Sequence, residues 1–170
     1  MHVLVATDGT LDIDEAAKFA MALAGADGET TVATIVRIPR RLVQELRTQY
    51  GEQAGVTVDS DAEYVNSPSV DTTPPMGWPG DDKVIEQYLG NKRVEIARPV
   101  AEAIRALGGT VESIVREGED VASDIISLCT EIDADVVVIG SHGHGAFQGL
   151  LGSTGAKLVR RSVVPVLVVR

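Results

Sequence analysis

The sequence predicts an α/β fold in which helices cover a doubly wound, five-stranded parallel sheet. Short runs rich in β-branched residues alternate with segments of helical periodicity along the whole chain. The composition is 44% hydrophobic with only 4% aromatic residues, which suits strands buried on both faces. The length of 170 residues is that of one domain, and parallel strands joined by helices require right-handed crossovers.

The amino-terminal third supplies the first two strands and the helix between them. Val3 to Thr7 is a short apolar run that predicts strand one. Ile13 to Ala24 carries its small and apolar residues at helical spacing, with Asp12 or Asp14 near its start and Gly25 at its end. Thr30 to Ile38 predicts strand two.

A long helical pattern runs from Lys83 to Leu107 and stops at Gly108 and Gly109. Pro99 lacks an amide hydrogen, so it must kink or restart this helix. The residues expected on its buried stripe are Val94, Ala97, Ala101, Ile104 and Leu107.

The last third repeats the alternation. Thr110 to Val115 predicts strand three, and the following helix is marked by apolar residues at helical spacing: Val121, Ile125, Cys129 and Ile132. Ala134 to Ile139 predicts strand four, Ser153 to Arg161 a helix, and Val163 to Val169 strand five.

Residues 44–82 interrupt this order and predict a long loop or flap inserted within a single domain, 1–170. Glycine, proline and acidic residues break any regular period there, after a short helical start at 40–49. Trp78 either packs locally on the sheet or covers a ligand or partner.

Glycines cluster directly after strand four, in the run Gly140-Ser141-His142-Gly143-His144-Gly145, and Gly152-Ser153-Thr154 opens the next helix. Glycine lets an anion approach the backbone closely, and hydroxyl groups add donors. This pattern predicts a phosphate site, with Ser153 or Thr154 capping the helix. The alternative is that the glycines only make a tight strand-to-helix connection.

These motifs resemble the ATP-binding signature of universal stress proteins. The resemblance rests on Gly140-x2-Gly143, on Gly152-Ser153 and on the terminal strand Val164 to Val169, together with the opening His2 to Thr10. Eight residues separate Gly143 from Gly152, where the family usually has nine. The resemblance implies a Rossmann-like fold of the adenine nucleotide alpha hydrolase type.

The resemblance also implies roles for single residues. Asp8 would lie near the base and sugar, and Val36 would match the position that contacts adenine. Gly140, Gly143, Gly152 and Ser153 would hold the ribose and phosphates. Side-chain chemistry adds further donors to phosphate, namely the hydroxyls of Ser141 and Thr154 and the loop histidines His142 and His144, and Mg²⁺ or Mn²⁺ would bridge the phosphates and Asp8. The alternatives are a turn cap for Asp8 and an ordinary buried strand residue for Val36.

Charge and composition exclude several partners. A net charge of −10 without a basic face argues against nucleic acid and anionic membranes. Cys129, the only cysteine, is expected to be a buried core thiol. His142 and His144 form a pair without a third ligand, so no metal site of protein ligands is predicted. With no signal peptide or membrane helix evident, we expect a cytoplasmic protein.

The sequence thus favours an ATP-binding, homodimeric sensor or regulatory module of stress response, whose Val163 to Val169 edge strand pairs with a second copy. No nucleophile elbow, His-Glu-x-x-His helix or Walker loop is present, so no catalytic residue is predicted. Two alternatives remain: a non-nucleotide interaction protein of the same fold, and a slow ATP hydrolase.

Overall fold

Strands and helices alternate in the computed structural model of the chain, which describes residues 1–38, 41, 44–45, 80–141 and 151–169. The elements are β1 His2–Ala6, α1 Ile13–Ala24, β2 Glu29–Val36, α2 Asp81–Lys92, a π-helical turn Arg93–Ala97, α3 Arg98–Ala106, β3 Thr110–Glu117, α4 Val121–Glu131, β4 Val136–Gly140, α5 Ser153–Arg161 and β5 Val166–Val169. This is the order that the sequence predicts.

The five strands form one parallel sheet in the order β3-β2-β1-β4-β5. Ala6 lies opposite Ala33 of β2 and Ile139 of β4, so β1 is at the centre. The strand order reverses between β1 and β4, which confirms a doubly wound α/β fold. In such sheets, ligands bind where the order reverses, at the carboxyl ends of the strands.

Each face of the sheet carries its own hydrophobic core, because successive side chains of a strand point to opposite faces. Val3 and Val5 of β1 pack on one face with helices α1 and α3, while Leu4 packs on the other face with α4 and α5. Cys129 belongs to the second core and is 1% exposed, as predicted. Burial raises the pKa of its thiol.

The start of α1 shows how the sequence sets helix bounds. Asp12 is the N-cap, and its Oδ1 accepts a hydrogen bond from the Glu15 amide at 2.8 Å. Gly25 ends the helix with a φ of 73°, a conformation that favours glycine. Of the two aspartates predicted near this start, Asp12 is therefore the cap.

Pro99 accounts for the π-helical turn between α2 and α3. Proline cannot donate to the carbonyl four residues before it, so the regular ladder cannot pass through this point. The Arg98 amide donates instead to the Arg93 carbonyl, five residues back, and α3 begins at Arg98. The predicted restart of the helix is confirmed.

The predicted apolar stripe is correct in its centre and wrong at both ends. Ala97, Ala101 and Ile104 are buried, whereas Val94 is 57% exposed and Leu107 is 50% exposed. Val94 lies in the π-turn, whose wider winding changes the direction of its side chain. Leu107 is the C-cap residue, where the chain leaves the helix.

Strand β5 begins three residues later than predicted. The Ser162 hydroxyl donates to the Val164 carbonyl at 2.7 Å and accepts from the Val164 amide at 3.2 Å, which makes a local turn. Val163 lies in this turn and is 70% exposed. The edge strand is therefore Val166–Val169.

The chain divides into two compact units, residues 1–37 with 88–170, and residues 38–87. The first contains the sheet, and the described part of the second contains the first seven residues of α2. Most of the predicted 44–82 insertion, Trp78 included, lies outside the described residues, so the insertion stays a prediction. Within the described ranges, none of the helices has the length and apolar character needed to cross a bilayer.

Candidate functional site

The turn that follows β1 is held by Asp8. Its Oδ1 accepts hydrogen bonds from the Thr10 amide at 3.0 Å and from the Thr10 hydroxyl at 2.6 Å. Gly9, between them, has a φ of 95°, which favours glycine. Asp8 thus serves as a turn cap, which is one of the two alternatives for this residue. Its contact with a nucleotide stays a prediction.

Val36, at the end of β2, packs in the hydrophobic core and hydrogen-bonds within the sheet. Its side chain is 8% exposed and belongs to the core that contains Ala97 and Val115. Its carbonyl accepts a hydrogen bond from the Gly118 amide at 3.0 Å, so its main chain faces β3. Val36 thus lies at the end of β2 with its side chain largely buried and its carbonyl bonded to Gly118; its contact with adenine stays a prediction.

The Ile35 carbonyl and the Arg37 amide, on either side of Val36, face β1 and not β3. Because each peptide group is planar and trans, the Arg37 amide points opposite to the Val36 carbonyl, towards β1. Neighbouring residues of a strand alternate in this respect, so the Ile35 carbonyl also points towards β1. The end of β2 therefore presents an acceptor and a donor side by side.

The pairing of β1 with β2 stops just before these two groups. The last bond between the strands joins the Thr7 amide to the Ala33 carbonyl at 2.9 Å. The next amide on that side, Gly9, donates to the Thr7 hydroxyl at 3.0 Å instead of to Ile35. Among the described residues, none supplies a hydrogen-bond partner to the Ile35 carbonyl or the Arg37 amide.

Gly140 and Ser141, at the end of β4, both make contacts that stabilise the fold. The Ser141 amide donates to the Val169 carbonyl at 2.7 Å, and the residue is 7% exposed. A Cβ placed on Gly140 would lie 3.3 Å from Leu11 Cδ1 and 3.4 Å from Leu11 Cα. Gly140 thus allows the turn before α1 to approach β4 closely, and the Ser141 amide is used by the sheet. Their contacts with a ligand stay predictions.

The start of α5 offers amides to an anion. Gly152 is the N-cap residue and makes no side-chain capping bond; the expectation that Ser153 or Thr154 caps the helix is wrong, because α5 already begins at Ser153. The first bond within the helix runs from the Ala156 amide to the Gly152 carbonyl at 2.8 Å. The amides of residues 153–155 therefore have no acceptor within the helix.

None of the described residues fills the space beside Gly152. A Cβ placed on this glycine would meet no described atom within 4 Å, and both Gly152 and Ser153 are exposed. A helix start of this kind attracts anions through its amides and its dipole. His142, Gly143 and His144 lie outside the described residues, so their predicted contacts with phosphate stay predictions.

Lys157, near the start of α5, is paired with an aspartate. Lys157 Nζ of α5 is 3.5 Å from Asp120 Oδ2, at the N-cap of α4, and both side chains are 45% exposed. Burial acts to raise the pKa of Asp120, but its hydrogen bond with the Ser123 amide and the charge of Lys157 together hold that pKa below its ordinary value. Within the described part of the chain, no three His, Cys, Asp or Glu side chains converge to hold a metal ion.

The structure gathers the carboxyl ends of β1, β2 and β4 at one edge of the sheet, because the three strands are parallel neighbours. The sequence places Arg37 with Val36 at the end of strand two, but it does not show that the Arg37 amide and the Ile35 carbonyl face β1, because this depends on main-chain direction and not on residue type. Only the register of β2 against both neighbouring strands identifies them.

The family of the chain follows from comparison with known proteins. A sequence model of the universal stress protein family matches residues 1–170, the whole chain. The chain belongs to the universal stress protein family. This confirms the resemblance that the motifs predict.

Two curated family members illustrate the likeness. A universal stress protein of Mycobacterium tuberculosis is 38% identical over 109 residues, which cover 62% of this chain and 36% of that protein. Universal stress protein G of Escherichia coli O157:H7 is 32% identical over 90 residues, covering 53% of this chain and 63% of that protein. The matched segment therefore spans about a third of the length of the mycobacterial relative.

Solved structures of universal stress proteins share the fold. One from Archaeoglobus fulgidus, in complex with dAMP, has a TM-score of 0.59 at 18% identity, covering 100% of this chain and 98% of that chain. Another from Burkholderia pseudomallei has a TM-score of 0.56 at 20% identity, covering 99% and 94%. A third, in complex with cAMP, has a TM-score of 0.54 at 18% identity, covering 100% and 96%.

Proposed function

We propose that this protein binds ATP where the strand order reverses between β1 and β4, and that it acts as a homodimeric sensor or regulatory module in the cytoplasm. The observation that carries the proposal is a pair of main-chain features at one rim. One is the acceptor and donor at Ile35 and Arg37, and the other is the open start of α5. The first suits the edge of a base, and the second suits phosphates.

The end of β2 matches the edge of adenine. The 6-amino group of adenine donates and its N1 accepts, so the Ile35 carbonyl and the Arg37 amide can satisfy both. In this proposal the main chain of Ile35 and Arg37 makes the contact with adenine that was expected of Val36. Universal stress proteins solved in complex with dAMP and cAMP support an adenine nucleotide as the ligand.

The phosphates would lie at the start of α5. The amides of residues 153–155 and the hydroxyl groups of Ser153 and Thr154 donate, and no described atom lies within 4 Å of a Cβ placed on Gly152. Because the described side chains form no metal-binding group, Mg²⁺ or Mn²⁺ would be held chiefly by the phosphates themselves. The chain has a net charge of −10, so these local donors must offset a general repulsion.

The homodimer would form through β5, an edge strand of the sheet. Val137 and Ser141 of β4 donate to the carbonyls of Pro165 and Val169, so the alternate residues Val166 and Val168 direct their main chain outwards. An unpaired edge of apolar residues is a template for pairing with a second copy. Val168→Pro removes one outward amide without removing a bond to β4, and should yield a monomer in sedimentation analysis.

Calorimetry with ATP and Mg²⁺ tests the nucleotide proposal directly. We expect one ATP to bind per chain. At an ATP concentration of ten times Kd, this binding should raise the free energy of unfolding by about 1.4 kcal/mol. No heat and no stabilisation at millimolar ATP would favour the non-nucleotide interaction protein. Sustained phosphate release would instead favour the slow hydrolase.

A further inference from the structure

The π-turn at Arg93–Ala97 brings a side chain to the rim that the sequence does not mark. Ile96 is half-buried, and its neighbour Ala97 is fully buried in the same core as Val36. A single π-turn within a helical run is uncommon and frequently lies at a functional site. Here it is fixed by Pro99, which forces the Arg98 amide to bond to Arg93.

Ile96 lies against the turn at which β1 stops pairing with β2. A Cβ placed on Gly9 would be 3.5 Å from Ile96 Cγ1 and 3.7 Å from Ile96 Cγ2, ordinary van der Waals distances. Gly9 is also the residue whose amide turns away from Ile35 and bonds to Thr7. Ile96 therefore borders the gap into which the Ile35 carbonyl and the Arg37 amide point.

We infer that Ile96 is the apolar wall against which the base of a bound nucleotide packs, so that it helps to select a flat, uncharged heteroaromatic group at this end of the site. The inference rests on the proposed function. A base whose edge is satisfied by main-chain groups still needs apolar surface against its flat face, and a branched aliphatic side chain supplies it. Phosphates gain nothing from such a surface, so the contribution of Ile96 belongs to the base alone.

The test separates base from phosphate with three probes: ATP, adenosine and inorganic tripolyphosphate. Each is titrated by calorimetry into the full chain and into the variants Ile96→Ala and Ile96→Val. Val94→Ala is the matched control, because Val94 lies on the same π-turn and is 57% exposed. Thermal unfolding without ligand is recorded for every variant.

Ile96→Ala should weaken ATP and adenosine alike, by about tenfold, and leave tripolyphosphate unchanged. Ile96→Val should retain most of the affinity for both, and Val94→Ala should match the wild type. Equal weakening of tripolyphosphate, or affinities within twofold of wild type for Ile96→Ala, would overturn the inference while the proposed function stands. A wild-type chain that binds none of the three probes would overturn both.

Discussion

Substitution of Gly152 by valine should weaken ATP binding strongly and change the stability of the fold only slightly. Gly152 has a φ of −59° and a ψ of 167°, extended backbone that valine adopts readily, and no described atom lies within 4 Å of a Cβ placed there. Glycine is also only a moderate N-cap, so the loss of stability should stay below about 1 kcal/mol. We expect the variant to unfold close to the wild-type denaturant midpoint.

The effect on ATP should be large, because a branched side chain would fill the space through which a phosphate reaches the amides of residues 153–155. A hydrogen bond to a charged group contributes about 1.5–3 kcal/mol, so the loss of one or two such bonds raises Kd roughly a hundredfold. Gly152→Ala, with a single methyl group, should lie between the wild type and Gly152→Val. Adenosine, which has no phosphate, should bind all three proteins equally.

Calorimetry with ATP and adenosine, alongside urea unfolding, measures both halves of this prediction. ATP binding by Gly152→Val within twofold of the wild type would show that the start of α5 does not hold phosphate. A large fall in the urea midpoint would show that the space beside Gly152 is filled in solution, and the open helix start would then be wrong.

Three further predictions concern the fold. Gly118→Ala should destabilise the protein by about 1–3 kcal/mol in urea, because a Cβ there would overlap Asp124 Oδ2; an unchanged midpoint would contradict the packing. Cys129 should react with thiol reagents only on unfolding, since it is 1% exposed and burial raises the pKa of its thiol; rapid labelling of the native protein would argue against this core. Hydrogen bonds from Arg116 lower the pKa of Glu131. The stability that this ion pair gives is therefore fully present above pH 4.5, the ordinary pKa of glutamate. It is lost as the pH falls through the lower pKa that Glu131 has in the folded protein. The urea midpoints of wild type and Glu131→Gln should therefore differ at pH 7 and converge in acid; a constant difference would refute the assignment.

Much of the fold can be predicted from the sequence because its elements are set locally. Ile13–Ala24 forms as predicted, since an aspartate begins the helix and a glycine at positive φ ends it. The parallel order of strands follows from alternation with helices. The error at Val94 arises because it has helical spacing but lies in the π-turn that precedes Pro99, where the winding of the helix changes.

The site is less predictable than the fold. The candidate site lies at the ends of β1, β2 and β4, and the sequence predicts these strands from their apolar runs. Residue type alone favours Val36 as an ordinary buried strand residue, which its burial confirms, whereas residue type misleads at Ser153, which lies one position inside the helix it was expected to cap. Periodicity gives the face that a side chain occupies, but the direction of each peptide group depends on which strands pair and in what register.

The gap between β1 and β2 has a consequence for how recognition can be altered. A donor and an acceptor that belong to the peptide chain are retained with any side chain at positions 35 and 37 except proline at 37, so a scan of alanine variants along β2 would pass over them. Replacing the amide link between Val36 and Arg37 by an ester, through semisynthesis, removes that one hydrogen while every side chain stays in place. Among natural side chains, only a proline at position 37 would remove that amide hydrogen, and no side chain at position 35 would remove the carbonyl.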